Sequence, residues 1–357
     1  MQKQWLVNQY FDGFGILLPH YIGLILLLLF PNIFAAFSEN IPTIAWVILV
    51  LCIDVAHVYS TLFRTYFDKI AWQNNKSTLI IIPIICFVIS VLAYSVDAIF
   101  FWRLLAYTAV YHFIRQQYGI LKLYLRKTNA PEWSNNLDIY AIYLFTFLPI
   151  LIWHFSGLKN FNWFVDNDFI YLPNQILKNI VTFIFYLIFL SYILKEIYIY
   201  LKYGIFALPK ALLLIGTALS WFVGIVILNG DLAFTLLNVV SHGIPYMALV
   251  WMYGAKNYRN NSNYSFLKNI FSHIGLPIFV ACVLLFAFLE EGIWDGLVWR
   301  EHSQVFAFFQ MLPDLSESEY LKILVPLLSL PQATHYVLDG FIWKIKEDTF
   351  YWKKLTD

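Results

Sequence analysis

The chain has 357 residues, of which 61% are apolar and only 13% charged, with a formal net charge of +1. A water-soluble domain of this length cannot bury so much leucine, isoleucine and phenylalanine, and a charge this close to zero implies no nucleic-acid partner, so the composition is that of a membrane protein. Cys52, Cys86 and Cys282 show no paired spacing, which suggests neither a disulfide framework nor a thiolate metal site.

Apolar runs of about 20 residues, the length that crosses roughly 30 Å of hydrocarbon as a helix, recur from end to end. Punctuated by Pro, Gly and charge, they predict ten spans, in chain order 14–36, 42–67, 77–96, 98–125, 138–157, 176–203, 207–228, 231–256, 268–292 and 320–345. No cleavable leader is expected before the first, and residues 1–357 read as one transmembrane domain. Between the last two spans, "QVFAFFQML" predicts a short amphipathic or re-entrant piece. An even number of spans puts both chain ends and every second loop on one side. That side collects 17 of the 23 basic residues, among them Lys3, Lys69, Lys76, Lys122, Arg126, Lys195, Lys202, Lys256, Arg259 and Lys344. The expected architecture is therefore an all-α polytopic bundle of about ten transmembrane helices with both termini cytoplasmic.

An ionisable group in hydrocarbon costs several kcal/mol unless it is paired or faces a polar interior. Four histidines nevertheless fall in the middle or inner half of predicted spans: His57 in "CIDVAHVYSTLFRTYFD", His112 in "AVYHFIRQQYGILK", His242 in "NVVSHGIPYMALVW" and His335 in "LSLPQATHYVLDGFIWK". All four spans run toward the cytoplasm. Counting residues to the next inner basic side chain, at 1.5 Å each, sets the four histidines roughly 10–20 Å deep and so permits a single shared site.

Other polar residues join that layer. Asp54 precedes His57 by three and Asp339 follows His335 by four, so each shares a helix face with its histidine and is a candidate ligand or orienting group. Arg115 and Gln116 follow His112 by three and four, and are expected to line the pocket. Pro331, Gly243 and Pro245 stand near His335 and His242, as expected where helices bend around a cavity. His20 is better explained by a helix-end or interfacial role than as a further ligand, His154, His273 and His302 read as interfacial, and Arg64 with Asp68 reads as a solvated i,i+4 anchor.

Neutral imidazoles with carboxylates and no thiolate suit iron(II), manganese or zinc. Non-haem Fe(II), as one ion or a pair, would activate O2, whereas zinc with a bound water would hydrolyse. Buried Asp, His and Arg groups would also serve a proton-coupled transporter, although no inverted internal repeat is visible.

At "YHFIRQQYG" around His112 and "ATHYVLDGFIWK" around His335 the chain resembles the bacterial membrane β-carotene-cleaving dioxygenases related to bacteriorhodopsin biosynthesis. His57 and His242 match that family by order and membrane position. The family's first block is a Pro-His-Gly with an aspartate after the histidine, where this chain has "DVAH"; its third block offers two histidines, where "SHGIPY" offers one. The resemblance implies a polytopic enzyme of the bacterial inner membrane, with non-haem iron held by histidines from several spans and a lipid or isoprenoid substrate oxidised or cleaved with O2. The paired histidine boxes of membrane desaturases are absent.

Overall fold

The computed structural model describes residues 4–32, 41–259 and 265–343, which form helices and connecting turns with no strand among them. The expectations that fall on Lys3 and on Lys344 and beyond lie outside these residues. In chain order the helices are α1 (Gln9–Leu17), α2 (Pro19–Leu29), α3 (Thr43–Arg64), α4 (Lys69–Val96), α5 (Ala98–Leu125), α6 (Glu132–Ser156), α7 (Gln175–Tyr203), α8 (Leu208–Ile227), α9 (Asp231–Asn257), α10 (Ser265–Ile270), α11 (Leu276–Trp299), α12 (Leu321–Leu328) and α13 (Leu330–Ile342). Among the described residues, seven of them (α3, α4, α6, α7, α8, α9 and α11) are long and apolar enough to cross a membrane, and α1 with α2 makes an eighth if that pair, bent by 65°, is one span.

Two of the ten expected spans take another form. Residues 98–125 are one helix, but Arg103, His112, Arg115, Gln116, Gln117 and Lys122 make it too polar to stand with the seven. The expected span 320–345 breaks at Ser329 into α12 and α13, because Pro331 has no N–H to continue the helix and starts a new one in its first turn. Helix ends follow ordinary capping chemistry. Asp68 accepts from the amides of Ile70 and Ala71 to begin α4, Asn174 caps α7, and Gly204 closes α7 in the left-handed conformation.

The chain divides into two compact units. One comprises Met1–Pro42 and Val110–Pro245. In it α6 packs along α7 and α8, and α2 packs on α8. The α2–α8 approach is close enough to require Gly216, where a Cβ would stand 2.8 Å from the Cβ of His20. Its most polar point is a charge-balanced quartet inside the helices. Lys195 hydrogen-bonds Asp138 and Glu196, and Lys210 donates to Asp138 Oδ2 at 2.8 Å and Glu196 Oε1 at 2.7 Å. Between α6 and α7, the Asp168 carboxylate accepts from the amides of Trp163 and Phe164 at 2.8 and 2.6 Å and knots that loop. Burial pushes the Asp168 carboxyl up to about 6, against the lowering pull of these amides.

The other unit comprises Thr43–Ala109 and Tyr246–Leu355. Here α13 and α12 pack on α4, and α11 packs on α3. The stretch "QVFAFFQML" is a 3-10 turn, Ala307–Met311, held to α11 because Phe309 occupies the space above Gly292. Arg64 and Asp68 correct the expectation of a solvated anchor, since both are buried. The Arg64 guanidinium lies between the rings of Tyr253 and Trp343, 3.9 and 4.3 Å away, and donates to the Ile342 carbonyl. Asp68 accepts from the Tyr258 hydroxyl at 2.6 Å. A like-for-like exchange is thereby possible: aromatic faces and a carbonyl replace the water that a surface arginine would have.

Removing one member of a buried ion network strands the others without compensation. Asp138→Ala is expected to destabilise the protein by about 3–5 kcal/mol, read as a lowered midpoint of unfolding in mixed micelles, while Asp166→Ala in the exposed part of the α6–α7 loop leaves the midpoint where it is.

Candidate metal centre

Local winding sets the depth and direction of two of the four histidines. In α3, residues Val47–Val55 form wide π turns before the α turn that carries His57. In α9, Thr235–Val239 do the same just before His242. Such turns insert a residue into the helix and concentrate at functional sites. Further along α9, Pro245 has no N–H to offer the carbonyl of Ser241, and the side-chain amide of Gln117 donates to that oxygen instead, at 3.2 Å. Gln116 donates to the neighbouring His242 carbonyl at 2.8 Å. Two adjacent glutamines on α5 thus pin the backbone from which His242 projects.

The imidazoles gather in pairs. The rings of His57 and His335 lie 4.9 Å apart, edge to face, and those of His112 and His242 are also 4.9 Å apart. His242 is further stacked on Phe113 at 3.6 Å, and Phe113 meets Trp163 from the Asp168 loop. All four histidines are buried, each offers one nitrogen, and these four atoms lie within 4.8 Å of one another. Two nitrogens on one ion, at bonds of roughly 2.0–2.1 Å, are at most about 4.2 Å apart, a little less than the widest separation here. Four buried histidines this close together can bind a metal ion. Among the described residues, neither a cysteine nor a carboxylate belongs to the group.

A chain of hydrogen bonds decides which nitrogen His335 presents. Tyr246 commits its hydroxyl proton to Asp339 Oδ1 at 2.7 Å. The Thr61 hydroxyl, 2.8 Å from the Tyr246 oxygen, must then donate to it, and the Thr61 oxygen accepts from His335 Nδ1 at 2.7 Å. With Nδ1 carrying the proton, coordination falls to Nε2. Asp339 lies 3.8 Å from His335 Nδ1 and acts through Tyr246 and Thr61, which makes it an orienting group. Asp54 stands 3.6 Å from His57 Nδ1, beside the histidine as expected, and is itself 31% exposed.

Of the two residues expected to line the pocket beyond His112, the structure separates one from the other. The face of α5 turned to His242 lies between His112 and Phe113. At about 100° per residue, Gln116 falls on that face and Arg115 about 110° away from it. Arg115 is accordingly exposed, hydrogen-bonds the Tyr143 hydroxyl and lies over the Tyr118 ring at 4.8 Å, so its expected place in the pocket is corrected. His20 is buried, with its ring nitrogens 2.9 Å from the Ile16 carbonyl and 3.0 Å from Gln117, and stands outside the metal group. Thr61, Tyr246, Phe113 and Gln117 were not anticipated. Thr61 and Tyr246 each follow a histidine of the set by four residues, the spacing that would have flagged them.

No protein-family model, curated protein or solved structure matches this chain. What the site can do rests on its own geometry. Outer-shell partners of a metal-bound histidine are typically worth about 10–100-fold in affinity, so Thr61→Val is expected to weaken metal binding by about that factor. Competition against a chelator measures it, and an unchanged helical circular dichroism spectrum shows that the fold survives.

Proposed function

We propose that this chain is a membrane-embedded metal-dependent oxygenase of the bacterial inner membrane, holding non-haem iron(II), one ion or a pair, with His57, His112, His242 and His335, and acting with O2 on a lipophilic substrate. The observation that carries this reading is the convergence of four buried imidazole nitrogens within 4.8 Å. An all-nitrogen set without thiolate suits iron(II) or zinc better than copper(I) or an iron–sulfur cluster. Iron(II), when bound, supplies the electrons that ground-state O2 needs to react with a spin-paired organic molecule. The protein's share is positional: Thr61 and Tyr246 hold His335 in one tautomer, Gln116 and Gln117 hold the backbone at His242, and the surrounding aromatic side chains keep water away. The resemblance at the His112 and His335 blocks to the β-carotene-cleaving dioxygenases supports the same reading.

The topology we propose has ten crossings and both termini cytoplasmic. The seven long apolar helices and the bent pair give eight, and α5 and the broken α12–α13 supply the other two. The basic residues on alternate loops support the orientation. A second reading, a zinc-dependent lipid hydrolase, is favoured by the purely imidazole donor set, three members of which would hold zinc with the fourth position left for water.

Elemental analysis of protein purified in mild detergent tests both. Iron at about one or two atoms per chain is expected, and His335→Ala is expected to lose it together with substrate-dependent O2 uptake while remaining folded. Zinc instead of iron, with turnover in the absence of O2, transfers the site to the hydrolase. Wild-type protein that binds neither ion ends both readings.

A further inference from the structure

Next to His335 the structure contains a cavity of about 300 Å³. Prolines stand on both sides of it. Pro83 lies within α4, and the carbonyl it leaves without a helical partner, that of Leu79, is taken by the Tyr66 hydroxyl at 2.8 Å. On the other side the chain breaks at Ser329, between α12 and α13. Tyr66, Pro83 and Pro331 all line the space so formed.

Burial gives the cavity a direction. His335, Thr61 and Leu338 line it and are buried, whereas Leu327, which also lines it, is 51% exposed. The opening is therefore at Leu327 and the blind end is at the imidazole. On α4 the neighbouring Ile80, Ile81, Ile84 and Ile85 are exposed on its outer surface, so the rim is apolar and faces hydrocarbon rather than water. Inside, the lining is mainly aliphatic and aromatic, with Thr61, Thr334 and His335 as its polar members, and among the described residues no carboxylate, lysine or arginine belongs to it. An anionic phosphate headgroup would find no lysine or arginine partner there. At about 30 Å³ for a group the size of a water molecule, the volume holds on the order of ten linked carbons.

We propose that this cavity receives a single hydrocarbon tail, acyl or prenyl, which slides in sideways from the bilayer past Leu327, so that the carbons presented to the histidine cluster belong to the tail and not to a headgroup. The chemical purpose of this arrangement rests on the oxygenase reading, but occupation of the cavity does not.

The test uses the full chain in lipid nanodiscs with two photoactivatable probes, palmitic acid and a fifteen-carbon prenyl alcohol, each with a diazirine at the end of its tail. Adducts are located by peptide mass spectrometry. Labelling is expected on the peptides carrying Tyr59, Leu330 and Leu338, in metal-loaded and chelator-treated protein alike, and the probe that labels more strongly identifies the kind of tail. Filling the mouth with Leu327→Trp is expected to reduce this labelling about tenfold, the equivalent of about 1.4 kcal/mol, and Leu327→Ala to leave it at the wild-type level or above. Adducts scattered over the outer faces of α4 and α7, indifferent to residue 327, would mean surface lipid only and would overturn the proposal. Cavity labelling in a protein that binds no metal retains the proposal and removes the oxygenase reading; iron without cavity labelling does the reverse.

Discussion

Hydrocarbon offers a polar atom nothing to bond to, so every polar group carried into an apolar helix interior has to be answered from within the protein. The structure is organised around those answers. Lys195 and Lys210 meet Asp138 and Glu196 with equal numbers of opposite charges. Gln117 supplies the amide that Pro245 lacks, and Tyr66 the donor that Pro83 lacks. Arg64 replaces its hydration with two aromatic faces and a carbonyl. Most of these answers join segments far apart in sequence, which is how a chain with so little polar surface obtains a specific arrangement of otherwise interchangeable greasy helices.

The same constraint explains what was legible beforehand. Ionisable residues stand out against apolar runs, so His57, His112, His242 and His335 could be singled out, and counting to the next inner charge placed them at a common level. That inference needs only the rise of a helix. The direction of a side chain around the helix is harder. Arg115 and Gln116 both looked like companions of His112, and only the stack of Phe113 on His242 shows which flank of α5 faces the centre. The burial of Arg64 leaves no local signal, because its partners Tyr253 and Trp343 lie about two hundred residues or more away in the chain. The break at Ser329 was hidden because proline is tolerated within transmembrane segments as well as at their beginnings.

The prolines contribute twice. By removing an amide they free a carbonyl for a side chain from elsewhere, which fastens one helix to another, and by preventing close approach they keep space open. At Pro245 the first effect dominates, and the backbone under His242 is held by two glutamines. At Pro83 both act together: Tyr66 ties off the carbonyl, and the gap beside it becomes the cavity that runs to His335. Rigidity at the nitrogen cluster and openness toward the lipid thus come from one residue type in two settings.

The wide turns in α3 and α9 have a consequence of their own. A π turn amounts to an α-helix with one residue inserted, and one residue corresponds to about 100° of rotation. The part of each helix before the π turns is therefore swung by more than a quarter revolution relative to the part that bears the imidazole. Shortening either segment by one position would straighten the rod without removing any histidine, yet the ring would then point along a different radius. In this protein the bearing of two imidazoles of the cluster is set by the length of the chain upstream of them as much as by the identity of the residues themselves.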